Sequence, residues 1–237
     1  NMKDNQQASE ISNRKQLTSQ LLELAHSEDS KAHDHLIELM GSSFSEVARV
    51  AIHIAASTGQ DKFFQPVAYI LATSEDPTVC RTCILSLPYF DNRRSVITLL
   101  NLLLHKEQPW IIYQSLVALD HLDVGVLEEY GCEIMAVVRQ YIYGDHDLIR
   151  KKCIQLLTKL GDQSDIALVI PLLSDRNRYV RKAAVESLGQ IQDPSALTHL
   201  ILAIGDRDIE VVLAVIKTLT AYPVQGLESL FTGLLYD

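Results

Sequence analysis

The stretch that decides the fold is SDRNRYVRKAAVESLGQIQDPSALTHLILAI, residues 174–204. It reads as an aspartate-bearing turn, a helix with an apolar stripe, a short turn and a second apolar helix. Val185 and Leu188 follow Val180 by five and eight positions, a spacing that places all three on one buried stripe of a helix. The stretch therefore predicts a pair of helices joined by short turns.

The same three-point apolar pattern recurs along the chain at a nearly constant period. Its first positions are separated by 32, 32, 38, 31 and 31 residues. The six copies begin at Val47, Val79, Ile111, Ile149, Val180 and Val211. A second apolar helix lies between successive copies, and we place the extra residues of the 38-residue interval in a longer connection near 123–131. The repeats lack the alternation of half-buried strands, so the sequence predicts helix pairs throughout.

We predict an all-α solenoid of about six helix pairs, because each pair leaves an apolar face that only a stacked neighbour can bury. The more polar helix at 14–25 is expected to cap the N-terminal end. The predicted organisation is a disordered segment over residues 1–10 and one solenoid domain over 11–237. Aspartates precede the first helix of several units, where they can cap free backbone N–H groups. These are Asp76, Asp145, Asp175 and Asp206.

The quoted stretch resembles the HEAT repeat, and it is most similar to the subclass named after phycobilisome lyases. The positions that carry the resemblance are Asp175, Val180-Arg181, Ala183-Ala184, Leu188-Gly189, Ile191, Asp193-Pro194 and Ala196-Leu197. The resemblance is strongest over 143–221. HEAT solenoids occur in scaffolds, adaptors and a few enzymes, so the resemblance implies an architecture more firmly than an activity. It also implies that the helix with the three-point pattern lines the concave surface.

When the six patterned helices are aligned, the position two residues after the first pattern residue is a cation in four of the six. We call the six residues at this position the row. The row reads Arg49, Arg81, Tyr113, Lys151, Lys182 and Leu213. Because the resemblance places this helix on the concave surface, the row predicts a face that binds a protein partner with an acidic surface. His53 lies near Arg49 on the same helix face and is a further candidate. A local basic row can bind such a partner although the whole chain is acidic.

A structural or solvated role for these charges is the interpretation that the sequence favours over a binding row. In HEAT repeats an arginine at the start of this helix commonly pairs with turn aspartates of neighbouring repeats. Arg150 and Arg181 occupy that position, and the aspartates placed to pair with them are Asp147, Asp175, Asp206 and Asp208. Charge rows at helical spacing are also commonly solvated faces.

Motifs for catalysis, metal binding or cofactor binding are lacking in the sequence, and we predict no catalytic residue, metal or cofactor. Cys80 and Cys83 have the CxxC spacing of redox and zinc sites, but no second such pair accompanies them. Cys83 falls in a column of small residues that also contains Cys153, which favours packing. The sequence contains no His-Glu dipeptide, so the resemblance does not extend to deoxyhypusine hydroxylase, which holds iron through such pairs.

Composition excludes several other classes of protein. The 21 basic and 30 acidic side chains give a formal charge of −9, which argues against nucleic-acid binding. No apolar run approaches the roughly 18 residues of a membrane span. Four cysteines in 237 residues do not make a disulfide framework, and the simplest location is the cytoplasm.

These patterns favour a non-enzymatic scaffold or adaptor that binds a protein partner on its concave face. The alternative is a subunit similar to bilin lyases or isomerases, in which a basic groove would take bilin propionates. A nucleic-acid binder that uses the same row ranks below both. The final apolar segment, with Phe231, Leu234 and Leu235, also makes a homodimer through the C-terminal helix possible.

Overall fold

The computed structural model describes the backbone of residues 2–161 and 165–222, with side chains from residue 13 onward. All regular elements in these ranges are helical, as the sequence predicts. The α-helices are α1 (Met2–His26), α2 (Ser30–Met40), α3 (Ser45–Ser57), α4 (Phe64–Thr73), α5 (Pro77–Ser86), α6 (Asn92–His105), α7 (Pro109–Asp120), α8 (Val124–Glu129), α9 (Gly131–Tyr141), α10 (Asp147–Leu160), α11 (Ile166–Val169), α12 (Arg178–Ile191), α13 (Leu197–Leu202) and α14 (Ile209–Ala221).

The predicted helix pairs are present along the described chain. The three-point pattern lies on α3, α5, α7, α10, α12 and α14, which we call the repeat helices. Their partner helices are α4, α6, α9, α11 and α13, and the last two continue into short 3-10 turns. The longer connection expected near 123–131 contains the short helix α8. Helix α1 begins at Met2, inside the segment for which the sequence predicts disorder.

The chain divides into two compact units. Unit 1 comprises the chain through Leu102 together with Val117–Val126, and unit 2 comprises Leu103–Leu116 and the chain from Leu127 onward. In unit 1, α3 packs on α5, and α1 and α2 pack on α3. In unit 2, α10 packs on α12 and α12 packs on α14. The single solenoid domain over 11–237 stays a prediction.

One position in each repeat helix carries a small or slender buried side chain, as close packing between helices requires. It lies four residues after the first position of the pattern, and each of its six side chains is 0% exposed. They are Ala51, Cys83, Ser115, Cys153, Ala184 and Val215. Gly189 serves the same purpose between α12 and α14, where an added Cβ would lie 2.7 Å from Cγ2 of Thr218. Helices that approach this closely cannot accept a larger side chain without moving apart.

Side-chain caps fix where three repeat helices begin. The Asp76 carboxylate accepts from the backbone N–H of Thr78 at 2.7 Å, and Pro77 occupies the first turn, where its missing N–H does no harm. Asn177 caps α12 and Asp208 caps α14 in the same way. Of the four aspartates proposed from sequence, Asp76 is a helix N-cap. Asp175 and Asp206 accept from the backbone N–H groups of Asn177 and Asp208, the residues that cap α12 and α14, and they also bind arginine side chains. Before α10 the N-cap position is His146 rather than Asp145.

Candidate functional site

A groove of about 920 Å³ lies between α1, α3 and α5 in unit 1. This volume falls within the range of roughly 300–1,000 Å³ that is typical of ligand sites. Val50, Ile54 and Leu85 supply its apolar lining. Its polar and aromatic lining comprises Arg14, Thr18, Ser45, Glu46, Arg49, His53, Thr82, Ser86 and Tyr89. Two residues predicted from sequence, Arg49 and His53, therefore line one groove.

Arg49 is exposed on α3, and Arg81 occupies the equivalent position of α5. Among the described residues, neither guanidinium forms an ion pair with a carboxylate. The one acidic side chain in the groove, Glu46, is held at 3.0 Å by Arg14. The positive charges of Arg49 and Arg81 are therefore not paired with a carboxylate within the described chain.

An aromatic pair forms one rim of the groove. The rings of His53 and Tyr89 meet edge to face with centroids 6.0 Å apart, a favourable arrangement for two aromatic side chains. Tyr89 is nevertheless 51% exposed. Tyr89 was not predicted from sequence, because it follows α5 in a 3-10 turn and lies outside the aligned positions. Its ring adds an apolar contact surface to the groove that Arg49 also lines.

The other predicted binding residues lie in unit 2. Tyr113 and Lys151 are half-buried, and within the described ranges their side chains form no hydrogen bond or ion pair. Lys182 differs, because its Nζ donates to Oε2 of Glu210 at 3.1 Å. This hydrogen bond raises the pKa of Lys182 and offsets part of its charge. A continuous binding row through both units stays a prediction.

Two arginines beside the row form buried ion pairs between repeats. The Nε and Nη2 groups of Arg150 donate to the two carboxylate oxygens of Asp175, both at 2.8 Å. Arg181 binds Asp206 in the same two-pronged way, at 2.6 and 2.9 Å. The two arginine side chains are only 4% and 5% exposed. The structural interpretation is therefore confirmed for these arginines, which are unavailable to a partner.

The ion pairs lower the pKa of both aspartates. Burial on its own would raise the pKa of Asp175, but hydrogen bonds from Arg150 and from the backbone of Asn177 outweigh it. For Asp206, the hydrogen bond from Arg181 is the largest influence and lowers its pKa. Each carboxylate is held in its charged form because that form accepts the arginine bonds.

A second contact between successive repeat helices was not foreseen from sequence. It begins at a side chain two positions before the first pattern residue of one repeat helix. It ends at a side chain three positions before the first pattern residue of the next repeat helix. The three examples are Ser45 with Asp76, Asp147 with Asn177, and Arg178 with Asp208. Asp147 and Asp208 are therefore not partners of Arg150 and Arg181. Hydrogen bonds led by those from Ser45 and Thr78 lower the pKa of Asp76 to about 2.

Both cysteines of the CxxC spacing, Cys80 and Cys83, are buried, and so is Cys153. Cys83 and Cys153 are fully buried, and burial raises the pKa of each thiol to about 12. A thiol with such a pKa is neutral and a poor nucleophile at neutral pH. Within the described ranges, no group of three or more His, Cys, Asp or Glu side chains is placed to hold a metal ion.

Comparison with protein families assigns the repeat. Residues 135–223 match a model of HEAT repeats. This part of the chain is a HEAT-repeat array. The array coincides with α10, α12 and α14 and their partner helices, where the arginine–aspartate pairs lie. A search of curated proteins finds no match to the sequence.

Solved structures support the same fold for most of the chain. The Escherichia coli protein YibA matches with a TM-score of 0.61 and 14% identity over 84% of this chain and 72% of its own. A designed armadillo repeat protein in complex with the peptide (KR)4 matches with a TM-score of 0.58 and 14% identity, over 80% and 98% of the two chains. These likenesses show the fold alone, an all-α solenoid of HEAT-like helix pairs.

A third structure is the complex of CpcE and CpcF of phycocyanin lyase from Nostoc, at a TM-score of 0.43 and 16% identity over 81% of this chain and 76% of that one. The bilin-lyase alternative stays a prediction.

In the described part of the chain, no helix is long and apolar enough to cross a membrane. The C-terminal residues proposed for dimerisation, Phe231, Leu234 and Leu235, lie outside the described residues.

Proposed function

We propose that the protein is a non-enzymatic interaction module that binds a protein partner through the exposed face of its repeat helices. The observation that carries the proposal is the pair Arg49 and Arg81, two exposed cations that no carboxylate of the described chain neutralises. Arg49 lines a groove with an apolar floor. Arginine on a surface of this kind is favoured at interfaces, where it anchors carboxylates through paired hydrogen bonds.

The groove defines the chemistry of the segment that it would hold. Val50, Ile54 and Leu85 offer an apolar floor for one aliphatic or aromatic side chain. Arg49 and Arg81 would bind flanking Asp or Glu side chains, and Tyr89 would cover the apolar anchor from the rim. The expected ligand is therefore a segment with an apolar residue between acidic ones. The remaining candidates, His53, Tyr113, Lys151 and Lys182, would extend this surface to a larger partner.

The fold is suited to such a role. The designed armadillo protein that shares it was crystallised with a peptide of alternating lysine and arginine, so a repeat surface of this class can take up a peptide. The charge expected here is the opposite one, because the free groups on α3 and α5 are cationic. A preformed helical surface also avoids the ordering cost that a flexible binding loop would incur on association.

The proposal can be tested by panning a random peptide display library against the purified full chain. We expect the enriched peptides to combine Asp or Glu with Leu, Ile or Phe, and to lose binding in an Arg49→Glu/Arg81→Glu variant. Lys31→Glu/Lys106→Glu is the control, since it makes the same change of four charge units on two exposed lysines that do not line the groove. Enriched peptides without acidic residues, or equal binding by the native chain and the double variant, would overturn the proposal.

A further inference from the structure

Helix α14 differs from the other repeat helices on one side. We call this side the forward face of α14 and define it by Ile209, Leu213 and Ile216. The equivalent positions of α12 are Arg178, Lys182 and Val185, and the two cations among them bind Asp208 and Glu210 at the start of α14. In α12 this side is therefore the one that meets the next repeat.

The forward face of α14 is apolar and, within the described chain, exposed. Its three side chains are 67%, 54% and 48% exposed, and their spacing of four and three residues aligns them along one side of the helix. The comparison is clearest at the position of Ile216. The equivalent residue is at most 1% exposed in the five preceding repeat helices, where it is Ile52, Ile84, Leu116, Ile154 and Val185.

The face also lacks the charges that would receive another repeat of the same kind. In α12, three cations bind acidic side chains of the following turn and helix: Arg178, Arg181 and Lys182. The equivalent residues of α14 are Ile209, Val212 and Leu213. A repeat with an acidic turn would lose the hydration of its carboxylates here and gain no ion pair in return. The surface is therefore suited to an apolar helix face.

We propose that the forward face binds the same face of a second copy of this chain, with the two α14 helices antiparallel about a two-fold axis. Such an interface is self-complementary, because each contact occurs twice. With Leu213 at the axis, Ile209 of one copy meets Ile216 of the other. The same arrangement brings Glu210 beside Lys217 of the second copy, since both lie on the same flank of the helix. Apolar contact and charge thus match together.

The dimer is expected to be weak. One helix face buries less than the roughly 800 Å² per partner of a standard stable interface. We therefore expect association in the micromolar range, which makes the molecular mass depend on protein concentration. This surface is distinct from the groove on α1, α3 and α5, so peptide binding and self-association can fail or succeed independently.

Sedimentation equilibrium of the full chain, up to about 200 µM, tests the dimer with a matched pair of variants. Ile216→Glu places a charge in the proposed interface, whereas Ile97→Glu alters a residue of α6 that is 49% exposed, nearly the same as the 48% of Ile216. We expect the native chain and Ile97→Glu to dimerise and Ile216→Glu to stay monomeric. A native chain that is monomeric throughout, or equal disruption by both variants, would overturn the proposal.

Crosslinking gives a second test that adds no charge to the helix. In a Cys132→Ser background, which removes the exposed native thiol, Leu213→Cys should form a covalent dimer with a short bismaleimide, and Ile97→Cys should not. The two-fold axis beside residue 213 brings these thiols together. Absence of the crosslink contradicts the arrangement. A monomer whose residue 213 thiol is protected from maleimide would show that other parts of the same chain cover the face, and this too would overturn the proposal.

Discussion

The two units solve the same packing problem with different chemistry. One position after the start of the pattern, unit 2 has Arg150 and Arg181, each buried and bound to an aspartate of the next repeat. Unit 1 has Ala48 and Cys80 at the equivalent position, and both are buried. Unit 2 therefore uses these cations to join its repeats, whereas unit 1 joins its repeats without them.

One contact shows how closely the units correspond. Arg150 donates to the backbone carbonyl of Gly144 at 2.8 Å, and Arg181 donates to that of Asp175 at 2.9 Å. Cys80 donates its thiol to the carbonyl of Ser74 at 3.3 Å, which is the same position of the repeat. A small neutral group thus replaces the guanidinium. In unit 2 the cation at this position is structural because the next turn supplies Asp175 or Asp206, whereas the corresponding turn residue before α5 in unit 1 is Ser74.

The largest loss of stability is expected from Arg181→Ala. It leaves Asp206 charged, buried and without its partner, so we expect the free energy of unfolding to fall by about 3–5 kcal/mol. Urea denaturation followed by circular dichroism measures the loss. Lys182→Ala is the control one residue away, because its ion pair with Glu210 is solvent-accessible and such pairs contribute little to stability. Equal losses in the two variants would refute a structural role for the buried pair.

A smaller loss of stability is expected from a substitution between α12 and α14. In Gly189→Ala the new Cβ would lie 2.7 Å from Cγ2 of Thr218, so the helices must separate, at a cost of about 1–3 kcal/mol. The control is Gly205→Ala, whose Cβ would meet nothing within 4 Å. Thermal denaturation should show a clear loss for the first variant alone. If Thr218→Ala does not restore part of that loss, steric conflict is not its cause.

The smallest effect is expected in acid. The pKa values of Asp175 and Asp206 lie below the ordinary 3.8 in the folded protein, so their stabilisation is complete above that value and is lost as the pH falls through the lowered values. Asp76 of unit 1 also has a lowered pKa, so both units are expected to lose stability in acid. We expect hydrogen exchange of α12 and α14 to rise as the pH falls below about 4, and to rise less in Asp206→Asn, which cannot titrate. An equal rise in the native chain and in Asp206→Asn would contradict the role given to this ion pair.

The repeat and its fold class could be predicted from sequence because the spacing of apolar residues is a local property. The first positions from Val47 to Val211 determine which helix side is buried, and stacking follows from that. Which aspartate pairs with which arginine could not be predicted from the spacing of residues. Asp175 and Asp208 were both reasonable partners for arginine, and the turn geometry gave Asp175 to Arg150 and Asp208 to Arg178.

The candidate site was predicted less completely. The alignment found Arg49 because cations recur at its position, and His53 was found because it lies near Arg49 on the same helix face. It missed Tyr89, which belongs to a 3-10 turn, and Arg14, which comes from α1 outside the repeats. A groove between three helices is a tertiary feature that no periodic pattern contains. The apolar forward face of α14, formed by Ile209, Leu213 and Ile216, could not be identified from sequence. It could be identified only after the structure showed which side of α12 meets the next repeat.

We propose that the free arginines of unit 1 bind a carboxylate-bearing partner. An exchange of opposite charges between Arg49 and a Glu of the peptide is the direct test. Fluorescence anisotropy would measure a labelled acidic peptide, taken from the library selection, against the native chain and Arg49→Glu. The account predicts at least a tenfold loss of affinity, about 1.4 kcal/mol, and its recovery when one Glu of the peptide becomes Lys. Unchanged affinity in Arg49→Glu, or a loss that no lysine peptide recovers, would contradict the claim.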